Sequence, residues 1–136
     1  VIKLTDNHAP RLFKASPRQV IPAIGDELHE SAEIIANDAR ISIIDGGISG
    51  SGHIPSIAGQ PPNADTHDLD QSIHATETIE VDGYVKASVV ADSDHALYME
   101  LGTTKIEERP FMRPAVARHR RTTVKSIALA YNRQVR

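Results

Sequence analysis

The densest run of groups able to bind or activate anything is Asp65, His67, Asp68, Asp70 and His74, where carboxylates and imidazoles crowd together. Those are the donors that hold zinc or, with oxygen alone, calcium, so metal binding is the first chemistry to weigh. The spacing speaks against it. His67 and His74 lie seven apart across a predicted loop-to-strand junction, the glycine of a calcium loop is missing, and His29-Glu30 has no second histidine a turn further on. These residues read as solvent-exposed polar side chains. Nucleophilic chemistry fares no better. No serine sits in a G-x-S-x-G elbow, no pair among the eighteen acids is singled out as acid and base, and the eight glycines include no G-x-x-x-x-G-K phosphate loop. The absence of cysteine removes thiolate catalysis, thiolate metal sites and disulfides together. The expectation is a protein that is not an enzyme and has no catalytic, metal or cofactor-binding residues.

Charge is the stronger signal. Net charge is −3, yet no Asp or Glu follows Glu108, while eight of the fifteen cations do: Arg109, Arg113, Arg118, Arg120, Arg121, Lys125, Arg133 and Arg136. That leaves seven cations against eighteen acids in residues 1–108, so the chain is an electric dipole. Arg113, Arg118, Arg120, Arg121 and Lys125 are close enough in sequence to form a subunit interface or to line a channel for DNA, each neutralised phosphate adding salt-dependent affinity. No helix-turn-helix or aromatic-basic surface accompanies them, which limits DNA contact to a weak, sequence-independent kind.

The elements that position these residues follow from periodicity. A chain of 136 residues with 40% hydrophobic and 24% charged residues is the size and composition of one globular domain. Residues 1–16 show no period and read as an N-terminal arm, leaving 17–136 as a single domain. From Pro17, the residues Val20, Ile24, Leu28, Ala32, Ile35, Ala39 and Ile43 recur every three or four positions, predicting an amphipathic helix with Ser16 as its cap and Pro22 as a source of a later start or a kink. Glycines and prolines from Gly46 to Pro62 mark a loop of roughly 25 residues that ends near Leu69. Residues 72–81 and 84–91 then predict a hairpin turning at Asp82-Gly83, the dipeptide suited to a type I′ turn. A short helical segment, 94–101, stops at Gly102, and Pro114 opens a second long helix carried by Val116, Val124, Ile127, Ala128, Tyr131 and Val135. This order predicts an α+β fold: two long α-helices packed on a small, mainly antiparallel β-sheet with a central β-hairpin and a long Gly/Pro-rich loop. No apolar run is long enough for a transmembrane helix, and no basic-then-apolar leader opens the chain at Val1, so synthesis in the cytoplasm is the expectation.

Two series of residues narrow this further. The first is Pro61, Pro62, Asp65, Thr66, Leu69, Ser72 and Ile73; the second is Tyr98, Glu100, Gly102, Thr103, Pro110, Phe111, Arg113, Pro114 and Ala115. In this order, before the hairpin and before the last helix, they resemble the tail-completion, or head–tail connector, family of long-tailed phages, prophages and gene transfer agents. His67 departs from the pattern, standing where that family has glycine. The resemblance implies a structural protein of the virion's head–tail junction, made in the bacterial host. There it forms a ring, a hexamer by family resemblance, that completes the tail or connector so that heads and tails join. Its partners would be further copies of itself, the neighbouring connector or stopper proteins and the tail terminator or tail tube, with DNA passing through the lumen. The rival reading is a small nucleic-acid- or host-protein-binding module of a mobile element. On physical grounds, Asp65 or Thr66 can cap the chain entering the hairpin, Gly102 permits a turn closed to other residues, Pro110 and Pro114 fix an extended lead, and Phe111 plugs that lead into the core.

Overall fold

The computed structural model describes residues 2–3, 17–46, 50–82 and 84–135. The order of elements is β1 (Ile2–Lys3), α1 (Pro17–Ile44), a single 3-10 turn (Gly50–Gly52), α2 (Asp68–Gln71), β2 (Ile73–Ala75), β3 (Ile79–Val81), β4 (Tyr84–Lys86), β5 (Ser88–Ala91), α3 (Ala96–Leu101) and α4 (Met112–Val135). The fold is α+β, as the element order predicts, with every strand pair antiparallel. Of the expected N-terminal arm, Ile2 and Lys3 pair with Val89 and Ser88; the rest, with the Ser16 cap, lies outside the described residues.

Helix α1 is the spine. Proline at its first position gives up no hydrogen bond and presets φ, and Pro22 falls within the second turn without interrupting the helix. Its predicted stripe is the buried face: Val20, Leu28, Ala32, Ile35, Ala39 and Ile43 are all under a tenth exposed. From Leu28 onward that stripe forms one cluster with Ile73, Ala87 and Val89 of the strand region, Ala96 of α3, and Phe111, Met112 and Ala115 at the head of α4. Arg40 reaches from α1 to the Ile73 carbonyl at 2.9 Å, and the His29 ring lies 3.1 Å from the Thr76 carbonyl, tying the helix to the first hairpin arm.

The hairpin departs from its predicted form in one respect. Each expected arm is broken in two, giving a three-stranded sheet β1-β5-β2 and a separate two-stranded tip, β3-β4. Ala75 faces Val89 and Ile79 faces Lys86, so three residues separate these pairs on the first arm and two on the second, a one-residue bulge. Thr76, still in register with Ser88, stands just before it: its N–H donates to the Ser88 carbonyl at 2.8 Å, and its hydroxyl accepts the Ser88 N–H at 3.1 Å, which leaves Glu77 and Thr78 opposite Ala87. The extra residue reverses the alternation of side chains. Ile73 is in the core, whereas beyond the bulge Ile79 and Val81, with Tyr84 opposite Val81, are about half exposed. At the turn, Asp82 has φ 52°, the left-handed conformation that a type I′ turn requires; Gly83 lies outside the described residues.

The second long helix begins at Met112 with Pro114 in its first turn, as predicted, but its buried face is the predicted one only in part. Val124 and Ala128 are exposed, and the buried residues are Met112, Ala115, Thr123 and Ala130. Of the expected set, Val116 and Ile127 pack on the core. The physical reason is the surface α4 meets. It packs chiefly on α1, and small side chains bring the two helices together, so the interface is marked by Ala and Thr and not by the largest apolar residues. Arg118 and His119, near the start of α4, both reach Asp38, near the end of α1, and packing continues along both helices, which run antiparallel.

Candidate functional site

The second residue series folds into a single clasp. Glu100, on α3, turns its carboxylate to the N-terminus of α4: Oε2 accepts the N–H groups of Phe111 at 2.8 Å and Met112 at 2.9 Å, and Oε1 accepts the N–H of Arg113 at 2.9 Å. The first N–H groups of a helix have no partners within it, and the positive end of its dipole favours an anion, so this carboxylate caps α4 from another element. Arg113 closes the ring. Its Nε donates to Glu100 Oε1 at 3.0 Å, and its Nη2 donates to the Glu100 carbonyl at 2.6 Å and to Glu108 Oε2 at 2.8 Å. Burial pushes the Glu100 carboxyl up, but the three backbone N–H groups and the guanidinium outweigh it and hold the group below the usual carboxylate range. The hydrogen bonds that the Arg113 guanidinium donates to Glu108 and Glu100 hold it correspondingly above its ordinary value.

The turn that brings Glu100 to α4 needs glycine. Gly102 has φ 71° and ψ 178°, and a Cβ there would stand 2.9 Å from both the Glu108 nitrogen and the Ile106 carbonyl oxygen. Thr103 shapes the next loop: its N–H donates to the Ile106 carbonyl at 2.7 Å, and its hydroxyl accepts from Lys105 and Ile106. Phe111 is among the largest fully buried side chains and plugs the lead into the core; Pro110 and Pro114 are half-buried beside it. Tyr98 is the exception. It is 52% exposed, and with Leu97 and Leu101 it makes α3 an apolar surface.

The first series lies elsewhere, between the long loop and α2. Pro62 and Ala64 are buried, Pro61 is half-buried, Leu69 packs on the core, and Ile73 is part of it. Neither Asp65 nor Thr66 caps the chain as expected. Asp65 accepts the Gly50 N–H at 3.3 Å across the loop, and the Thr66 hydroxyl donates to the Asp68 carboxylate at 2.5 Å. The residue at the N-terminus of α2 is His67, which adopts the left-handed conformation with φ 65°. Its Nδ1 lies 3.2 and 3.3 Å from the two oxygens of Asp70, a carboxylate only 7% exposed. Ser72 closes the short helix by donating to the Leu69 carbonyl at 2.7 Å. The two series share the core cluster through Ile73 and Phe111, and the loop is stitched down beside them: Gly59 N–H to the Glu108 carbonyl at 2.9 Å, Arg109 Nε to the Ser56 carbonyl at 3.1 Å, and Ala64 N–H to the Ile43 carbonyl at 3.0 Å.

The five candidate cations divide. Arg113 belongs to the clasp. Arg118 donates to Asp38 Oδ2 at 2.9 Å, where His119 Nε2 also sits at 2.9 Å; burial raises this carboxyl, and Arg118 with His119 more than offsets that, so its pKa is lowered. Arg120, Arg121 and Lys125 are exposed, and no described residue pairs with them. The roles of Asp38 and Arg109 escaped the sequence reading, because partners separated by 53 to 81 positions leave no local pattern, and Glu108, which meets Arg113 five positions on, belongs to neither series.

Among the described residues, no three histidine, aspartate or glutamate side chains converge as metal ligands, and no helix is long and apolar enough to cross a membrane. The concavities are open and shallow, one bordered by Arg18, Ile21, Pro22 and Glu80 and the other by the exposed side of α1. No family model, curated protein or solved structure matches this chain.

Proposed function

We propose that this chain is a non-enzymatic structural protein of a phage or phage-like particle, assembling as a ring at the head–tail junction, where it completes the tail or connector and allows the two to join. The family resemblance of the two residue series gives the place. The observation that carries the assembly role is the exposure of large apolar side chains on separate surfaces: Ile79, Val81 and Tyr84 on the hairpin tip, and Leu97, Tyr98 and Leu101 on α3. A chain that worked alone would gain solubility by replacing them, and surfaces of this kind are used against other proteins. The motif residues other than Tyr98 are spent mainly on holding α3, the loop and α4 together, so the fold gives those contacts a rigid base.

A second reading, a nucleic-acid-binding module, draws on the unpaired Arg120, Arg121 and Lys125. The two readings separate cleanly. Electron microscopy of lysates from a strain lacking this gene alone should show filled heads lying apart from tails, with joining restored by complementation. Normal joined particles would remove the neck reading; tight, salt-steep DNA binding by the free chain would then favour the second.

A further inference from the structure

The solvent faces of the two long helices carry opposite charge, and each interleaves it with exposed aliphatic side chains. On α1, Glu30 and Glu33 accompany Ile34 and Ile41, 47% and 44% exposed, in an open groove of about 530 Å³ bordered by His119 of α4. Among the described residues Glu30 has no ion pair, and Glu33 has only Arg40 at 3.9 Å. On α4, Arg120, Arg121 and Lys125 surround Val124, which is 50% exposed, and Leu129 follows one turn beyond Lys125 at 57% exposed. Each face thus sets exposed aliphatic side chains among charges: predominantly acidic on α1, where Arg40 also borders the groove and pairs with Glu33, and basic on α4, so that the two are complementary.

We propose that the α1 groove of one copy receives the exposed flank of α4 from the next copy, head to tail. The proposal rests on the reading of the chain as a ring former and names the faces that would close the ring. A ring needs two different surfaces on each copy, complementary to each other and not to themselves. Two acidic α1 faces repel, as do two basic α4 faces, so the charge pattern selects α1 against α4. Nucleic acid is a poorer occupant of the α4 flank: phosphates would neutralise the cations but leave Val124 and Leu129 in water.

The test uses the whole chain and two double variants of exposed residues, Glu30→Lys/Glu33→Lys and Arg121→Glu/Lys125→Glu. Association is followed by sedimentation velocity at low ionic strength, with circular dichroism to confirm the helices. Wild type should associate beyond a dimer, and each variant alone should associate on the order of tenfold more weakly or worse. An equimolar mixture of the two should recover association, because each supplies the face the other has lost. The chain carrying all four reversals should also recover it, which a folding defect cannot mimic. Wild type that stays monomeric at millimolar concentration, variants that associate as wild type does, or a mixture that fails to recover would each overturn the proposed contact. Mass that stops at two copies would place it on a two-fold axis and overturn the head-to-tail arrangement. None of these outcomes bears on whether heads and tails separate when the gene is deleted, so the contact and the neck reading fail independently.

Discussion

Glu100 shows what single residues do in this fold. Its side chain is 12% exposed and accepts from three consecutive N–H groups and a guanidinium, so the folded state holds it deprotonated more firmly than the unfolded chain does. The unfolded chain therefore binds more protons in acid. The contribution to stability is complete above the ordinary Glu pKa of about 4.3 and is lost as pH falls from there through the depressed folded value. Asp38, also held below its ordinary value, acts in the same direction. Glu100→Gln keeps the shape but loses the charge and one acceptor oxygen, and should cost about 1–3 kcal/mol at pH 7 in urea denaturation. It should also flatten the fall of stability as pH drops below the ordinary Glu pKa of about 4.3; an unchanged acid slope would mean that other carboxylates set it. The sequence marked Glu100, Gly102 and Arg113 as belonging together and marked Phe111 as a core plug. It could not show that a carboxylate would cap a helix starting twelve residues later, because capping from another element leaves no local signature. His67 is the converse case. Its left-handed φ of 65° is the conformation glycine adopts without strain, so this position would accept glycine, and here it holds a histidine with Asp70 beside the ring.

At the scale of elements, regular patterns were legible and exceptions were not. Helix α1 follows its apolar stripe nearly residue for residue, and Asp82-Gly83 marks the hairpin turn. The bulge just after Thr76 was hidden because it depends on which residues of the two arms meet. A threonine that bonds Ser88 through both its backbone and its hydroxyl looks like any β-former in sequence. The buried phase of α4 was hidden for a related reason: hydrophobicity marks Val124 and Ala128, whereas close helix packing selects Ala115, Thr123 and Ala130. The bulge divides the hairpin in its dynamics as well. Strands β2 and β5 are bound to each other and adjoin α1, while Ile79, Glu80 and Val81 of β3 are all exposed and pair only with β4. Amide hydrogen exchange should therefore run at least tenfold faster at backbone-bonded positions of β3 and β4 than at those of β2 and β5. Equal protection would mean that the tip is covered, and in a solution that self-associates the difference should shrink if the apolar tip is a contact surface.

For the molecule as a whole, the α+β class was legible because the order of periodic segments constrains it, while the arrangement around α1 was not. One helix carries the strand region on one side and α4 on another, and the Glu100–Arg113 clasp with Phe111 supplies a second link between those two sides. Bonds to Ile43, Glu108 and Arg109 hold the described part of the long loop against both ends of this frame, contacts that its glycines and prolines do not mark. Such connectivity has a thermodynamic consequence. Removing α4 would bare one side of α1 and release Met112 and Ala115 from the cluster that also contains Ile73 and Val89, so neither half retains a closed core alone. The described domain should unfold as one cooperative unit, with an enthalpy of about 0.7 kcal/mol per ordered residue near 60 °C. Differential scanning calorimetry at low protein concentration measures this directly: the calorimetric and van't Hoff enthalpies should agree. A calorimetric value well above the van't Hoff value would show α4 melting apart from the strand region. The clasp would then be a latch between two independently stable parts, and a neighbouring subunit could open it without unfolding the domain.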